Sequence, residues 1–175
     1  MTGRSGFAVW ITGLPASGKS SITGELVIRL HNAGIYPVVL ESDTMRTILT
    51  PEPSYEEEER DRFYRQLVEI GELCVRQGVS VIFDATANRR SYRDHARIRI
   101  ASFVEVFIEC AVKICKERDP KGIYAAVLHG NASNVPGVQA PYEPPVTPEV
   151  VVDCREPHSS SADRILAHLK KCRFI

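Results

Sequence analysis

The chain has 175 residues, with 22 basic side chains balanced by 22 acidic ones, so no global field directs it toward nucleic acid or an anionic membrane. That length suits a single domain, 1–175, able to bury a core without disulfides or metals. No stretch approaches the roughly eighteen apolar residues of a membrane span, and Met1 to Ser5 lead into a strand with no apolar signal region, so a cytoplasmic location is expected.

In chain order, Phe7 to Thr12 is an almost continuously apolar run, as a buried parallel strand should be. The next eight residues, Gly13-Leu14-Pro15-Ala16-Ser17-Gly18-Lys19-Ser20, satisfy G-x-x-x-x-G-K-[ST], the phosphate-binding P-loop. Ile22, Leu26 and Leu30 then repeat on one helical face, with Val27 beside them. Strand, glycine loop and helix together give the motif its chemistry. Glycines let successive N–H groups turn toward a phosphate, and the helix N-terminus adds unsatisfied donors. Lys19 supplies a mobile charge for the β- and γ-phosphates, and the Ser20 hydroxyl is a ligand for Mg²⁺. Gly13 to Ser20, with Ser21 after them, are therefore the expected ATP-binding stretch.

Gly34 closes the first helix, and Tyr36 to Ser42 read as a second strand ending at Asp43. A loop with Thr50-Pro51-Glu52-Pro53 follows. Ser54 and Glu57 form a capping-box pattern ahead of a helix that carries Phe63, Leu67, Ile70 and Cys74 and stops at Gly78. Val79 to Phe83 is a third strand, running into Asp84-Ala85-Thr86-Ala87-Asn88. Arg89 to Ile100 reads as a helix whose Arg89, Arg93 and Arg97 share one face, solvated or basic enough for nucleic acid. Phe103 to Cys110 is a fourth strand, followed by a short helix near Val112 to Arg118. Asp119 to Pro148 is long, irregular and rich in Gly, Pro and Asn, the signature of a lid. Val150 to Val152 and a last helix opened by Ser160 and Asp163 complete the chain.

Strands alternating with helices predict an α/β fold of the P-loop NTPase type. Its mostly parallel five-stranded sheet has helices on both faces, with the lid over one end. Ligands in such sheets bind beyond the carboxyl ends of the strands, where the P-loop, Asp43 and Asp84 should converge. Cysteines 74, 110, 115, 154 and 172 are odd in number and lack CxxC spacing, so reduced packing residues are expected, with Cys110 and Cys115 remote from other metal ligands.

Arg118-Asp119-Pro120-Lys121-Gly122-Ile123-Tyr124, Pro141-Tyr142-Glu143-Pro144-Pro145 and Pro148-Glu149, together with the P-loop, resemble adenylylsulfate kinase over nearly the whole chain. The resemblance implies MgATP-dependent phosphorylation of the 3′-hydroxyl of adenylyl sulfate, a small-molecule acceptor, and no membrane or nucleic acid. It leaves a homodimer open. The family's L-D-G-D-N-x-R stands here as Leu40-Glu41-Ser42-Asp43-Thr44-Met45-Arg46. Asp43 is implied as the group that orients or deprotonates the hydroxyl, unless it merely caps the next turn, and Arg46 as an anion clamp. Lys121 of the RDPKG motif is expected near the phosphates. Arg60 falls on a family substrate-binding arginine and Arg65 on the first of a pair, though both also suit an ordinary exposed helix.

Departures from the family pattern bear on the acceptor. The family's S-F-I-S-P is Asp84-Ala85-Thr86-Ala87-Asn88, which replaces its second serine by Ala87 and makes Asp84 either a second acidic group of the cleft or a capping residue. The asparagine after D-R is Phe63. Of the aromatic pair that clamps the adenine, Tyr55 is kept and Val135 replaces the other ring. Asp84-Ala85-Thr86-Ala87-Asn88 is also similar to a loop of polynucleotide-kinase-like enzymes. A kinase of another small hydroxyl compound, a polynucleotide- or RNA-end kinase and a non-catalytic nucleotide-binding module are the alternatives, the last opposed by intact Lys19, Ser20 and Asp43.

Overall fold

The computed structural model describes residues 6–175, so Met1 to Ser5 and the expectation attached to them lie outside the described residues. Five parallel strands lie side by side in the order β2-β3-β1-β4-β5. They are β1 (Ala8–Thr12), β2 (Val38–Glu41), β3 (Val81–Asp84), β4 (Phe103–Glu109) and β5 (Val150–Asp153). The helices are α1 (Lys19–Asn32), α2 (Ser42–Leu49), α3 (Glu57–Arg76), α4 (Arg90–Arg99), α5 (Val112–Arg118), α6 (Ile123–Leu128) and α7 (His158–Lys171). Among the described residues no helix is long and apolar enough to cross a membrane.

Because strand side chains alternate, β1 feeds two cores. Phe7, Val9 and Ile11 pack with Ile22, Leu26 and Leu30 of α1 and with Ile165 and Leu169 of α7. Ala8 and Trp10 point the other way, onto Phe63 and Leu67 of α3 and Ala96 of α4. Trp10 stacks on Phe83 at 4.5 Å and donates its indole N–H to the Ala85 carbonyl at 3.0 Å. Gly71 lets α3 approach closely, since a Cβ there would stand 2.1 Å from the Phe83 ring. The strand order reverses at β1, so the crevice beyond its carboxyl end is where the two halves of the sheet part.

Several local expectations are corrected. β3 begins at Val81 and includes Asp84. The second strand, expected from Tyr36 to Ser42, spans Val38–Glu41, and Ser42–Leu49 are helical, capped by the Glu41 carboxylate, which accepts from the Thr44 N–H at 2.8 Å. Asp43 is therefore not the cap; it sits in the first turn of α2. The Ser54–Glu57 capping box does not form, and Glu59 instead accepts from the Tyr55 N–H at 2.7 Å. The segment expected to be irregular contains α6, whose Ala125 N–H is met by the Asp119 carboxylate at 2.9 Å. The last helix opens earlier than Ser160, at His158.

The arginine face of α4 is neither solvated nor free for nucleic acid. Arg93 has no exposed side-chain surface; it lies 3.2 Å from Glu105 and donates to the Thr12 hydroxyl at 3.1 Å and to the Glu143 carbonyl. Arg97 bridges Glu105 and Glu149, Arg89 meets Glu57 at 2.7 Å, and Arg99 meets Glu72 at 2.5 Å. Burial pushes the Glu105 carboxyl above its usual range, and the Arg93 and Arg97 charges oppose that.

Removing one partner of a buried pair leaves the other charge uncompensated, at a cost of about 3–5 kcal/mol. Arg93→Met is expected to lower unfolding stability by that order in urea titrations, whereas Arg90→Ala on the exposed side should change it by under ~0.5 kcal/mol. Equal effects would show that the network does not matter.

Candidate active site

β1 ends at the switch point, and the chain there turns through Gly13 to Ser20 into α1. Ala16 (φ 62°) and Gly18 (φ 105°) both occupy left-handed backbone, which aims successive N–H groups to one side. At Gly18 space matters as well, because a Cβ would lie 3.1 Å from the His158 Nε2. Pro15, Ala16, Gly18, Lys19, Ser20 and Ser21 open onto a cleft of about 1120 Å³. Gly13, Leu14 and Ser17 face inward: Leu14 packs with Cys115, Tyr124 and Val135, and the Ser17 hydroxyl is buried without a partner. The Lys19 ammonium donates to the Gly13 and Leu14 carbonyls at 3.2 and 3.1 Å. Burial lowers its pKa, opposed by Asp84 and then Asp43.

Across the cleft, α2 and α3 bring together Asp43, Arg46, Tyr55 and Arg60. Arg46 is not a free anion clamp. Its guanidinium pairs with Glu59 at 2.5 Å and is sandwiched between the Phe63 and Tyr55 rings, at 4.1 and 4.9 Å from their centroids. Phe63, which stands for the family asparagine, is thus the floor beneath Arg46. Arg60 donates to the Asn88 side chain at 3.3 Å and to the Asn134 carbonyl at 2.6 Å. Arg65 is exposed on the opposite side of α3 and does not line the cleft.

The third wall is the Asp119–Pro148 segment. Lys121 reaches Asp43 at 2.6 Å, with Glu41 at 3.8 Å, and Asp43 raises the lysine pKa. Tyr124 donates to the Pro15 carbonyl at 3.0 Å. Asn88 ties the segment to α3: its amide donates to the Pro141 carbonyl at 3.1 Å, and its carbonyl accepts from the Glu143 N–H at 2.7 Å. Val135 lines the cleft yet is buried against Leu14 and Tyr124, so it does not stand free opposite Tyr55. Among the described residues, Tyr55, Ala87 and Asn134 join Ala16 and Arg173 as the non-glycine residues at positive φ. Strain of this kind, of order 1–3 kcal/mol each, collects where surrounding structure enforces a working geometry.

Asp84 ends β3 in the cleft, near the Ser20 and Thr23 hydroxyls and beside Glu41 of β2. Burial raises its pKa, and the Lys19 charge opposes that. Arg118, held by the Cys154 carbonyl at 2.8 Å, and His158, next to Gly18, also line the cleft. Cys110 packs against both Cys115 and Cys154; all five cysteines are free, and no three His, Cys, Asp or Glu side chains among the described residues form a metal cluster. Sequence reading missed Glu59, Asn88, Asn134 and His158. Glu59 alone had a local signal, since it stands where the family has the D of D-R.

The family model for adenylylsulphate kinase matches residues 5–153. An adenylyl-sulfate kinase of Rippkaea orientalis is 38% identical over 175 residues, covering 98% of this chain and 96% of that one. A probable bifunctional SAT/APS kinase 2 of Sorangium cellulosum is 37% identical over 172 residues, and the match spans 98% of this chain but only 30% of that longer protein. Among solved structures, Mycobacterium tuberculosis APS kinase CysC in complex with AMPPNP and APS superposes with a TM-score of 0.90 at 29% identity, covering 95% of this chain and 98% of that one. A gluconokinase of Sinorhizobium meliloti, at 20% identity and a TM-score of 0.61, shares the fold alone.

Lys19 is a partly buried ammonium whose hydrogen-bond acceptors among the described residues are two carbonyls. Lys19→Met is therefore expected to leave the melting temperature of the ligand-free protein unchanged or raised, while removing the rise that ATP produces in the wild type. A lower ligand-free melting temperature with an intact ATP shift would make Lys19 a structural residue.

Proposed function

Because this chain belongs to the adenylylsulphate kinase family, we propose roles for its cleft residues in the family's reaction, transfer of the γ-phosphoryl group of ATP to the 3′-hydroxyl of adenylyl sulfate. The protein is an ATP-dependent phosphotransferase that acts on an alcohol group of a small-molecule substrate. The observation that carries the assignment of roles is the meeting of Asp43 and Lys121 at 2.6 Å across the mouth of the P-loop cleft. A carboxylate there can orient the accepting hydroxyl and take its proton. An ammonium beside it can follow the charge on the transferred group.

In this reading the P-loop N–H groups cradle the β- and γ-phosphates, and Lys19 exchanges its two carbonyl partners for phosphate oxygens. The exposed Ser20 hydroxyl at the start of α1 fits a Mg²⁺ ligand. The cation supplies neutralisation of charge between the β- and γ-phosphates. Tyr55, its ring backed by Arg46, is the surface on which the acceptor adenine stacks, and Arg60 is the anion-binding arginine of that wall. Val135 contributes apolar contact only. Residues 1–175 act as one kinase domain, with 119–148 as its lid, which excludes water that would otherwise accept the phosphoryl group. We place the enzyme in the cytoplasm and leave self-association as a homodimer for sedimentation to decide.

The coupled assay of ADP release tests the reading, with adenylyl sulfate as acceptor. Lys19→Ala should abolish turnover at saturating MgATP. Near-normal turnover in that variant would refute the catalytic role. Tyr55→Ala removes a stacking surface worth on the order of 1–3 kcal/mol, so the KM for adenylyl sulfate should rise roughly fivefold or more, with that for ATP little changed. An equal rise for both substrates would place Tyr55 outside the acceptor site.

A further inference from the structure

The acidic side chains of the cleft differ in what they face. Asp43 is paired with Lys121 and Glu156 with Arg164, Glu41 caps α2 through Thr44, and Asp119 accepts from the Ala125 N–H. Asp84 has none of these. It is only 3% exposed, and among the described residues no lysine, arginine or backbone N–H pairs with it. Lys19, the nearest cation, is turned onto the Gly13 and Leu14 carbonyls. The groups that face Asp84 are the hydroxyls of Ser20 and Thr23, and the Thr23 hydroxyl is itself buried without an aligned partner. A buried carboxylate with no cation costs several kcal/mol unless something positive completes it. Here the missing charge lies toward the side of the P-loop that presents Ser20.

We propose that Asp84 is a protein anchor for the divalent cation of the bound nucleotide, holding it beside Ser20. This rests on the reading of the cleft as a MgATP site and adds a ligand that the family pattern does not supply, since a serine stands there in S-F-I-S-P. Oxygen donors and a hard divalent cation match chemically. No cluster of three acidic, His or Cys side chains among the described residues could hold the ion alone, so the phosphates must share it. β3 fixes the position: Asp84 is in register with Ile11 of β1, just before the P-loop, and with Glu41 of β2. Backbone pairing on both sides leaves the carboxylate little freedom to move away.

The test is Mn²⁺ binding to the ADP complex, followed by the electron paramagnetic resonance of free Mn²⁺. Asp84→Ser, which restores the family residue, and the isosteric Asp84→Asn should each weaken Mn²⁺ binding at least tenfold, while metal-free ADP binds at least as tightly as to wild type. Ligand-free melting temperatures should stay level or rise, because an unpaired buried carboxylate has been removed. Unchanged Mn²⁺ affinity in both variants, with ADP still bound, would overturn the proposal and leave the nucleotide site standing. Loss of adenylyl sulfate binding with Mn²⁺ affinity intact would also overturn it, moving Asp84 to the acceptor side. Failure of the wild type to bind ADP at all would overturn the MgATP reading itself.

Discussion

A guanidinium sealed from water needs its charge compensated by protein, and Arg93 is compensated by segments remote in sequence, with its Nε set 3.2 Å from Glu105 as an ion pair without an aligned hydrogen bond. Its partners are Thr12 at the end of β1, Glu105 on β4 and the carbonyl of Glu143 in the PYEPP turn. Thr12 is used fully. Its hydroxyl donates to the Thr86 carbonyl at 2.6 Å and stands 3.0 Å from the Tyr142 hydroxyl, while accepting from Arg93. One buried charge therefore fixes the strand that launches the P-loop, the loop after β3 and the Pro141–Pro145 turn. The cleft is a consequence of that convergence.

The same logic is repeated at smaller scale on the acceptor wall. Glu59 neutralises Arg46 and at the same time accepts from the Tyr55 N–H, so the ion pair also sets the position of the aromatic ring. Asn88 uses its side-chain oxygen, its amide and its main-chain carbonyl to join α3 to the Pro141–Glu143 stretch. Polar groups placed this way restrict geometry more than they add stability, which suits a site that must hold two anionic molecules in line.

The parts of this architecture legible in sequence were those with local grammar. The strand, P-loop and first helix are contiguous, and each carries its own period or motif. Asp43, Asp84 and the P-loop could be placed in one cleft because parallel strands put their carboxyl ends on one edge. What escaped was contact between residues far apart. Arg93 looks like any exposed helical arginine until Thr12, 81 residues away, is brought beneath it. Arg46 looked like a free clamp because Glu59 and Phe63 are neighbours only after α2 folds against α3. Helix α6 was hidden because its start depends on the Asp119 carboxylate and the left-handed Gly122 rather than on apolar spacing.

The Asp43–Lys121 contact has a kinetic meaning. Both side chains are more than half exposed, so the pair contributes at most about 1 kcal/mol. That corresponds to a ratio of roughly five to one between paired and released forms, and less as salt screens the charges. The turn that carries Lys121 is therefore tethered rather than locked. An anion in the cleft competes with Asp43 for the lysine at small cost. A stronger bridge at this point would hold the mouth shut against substrate and product alike, and turnover would then wait on its opening.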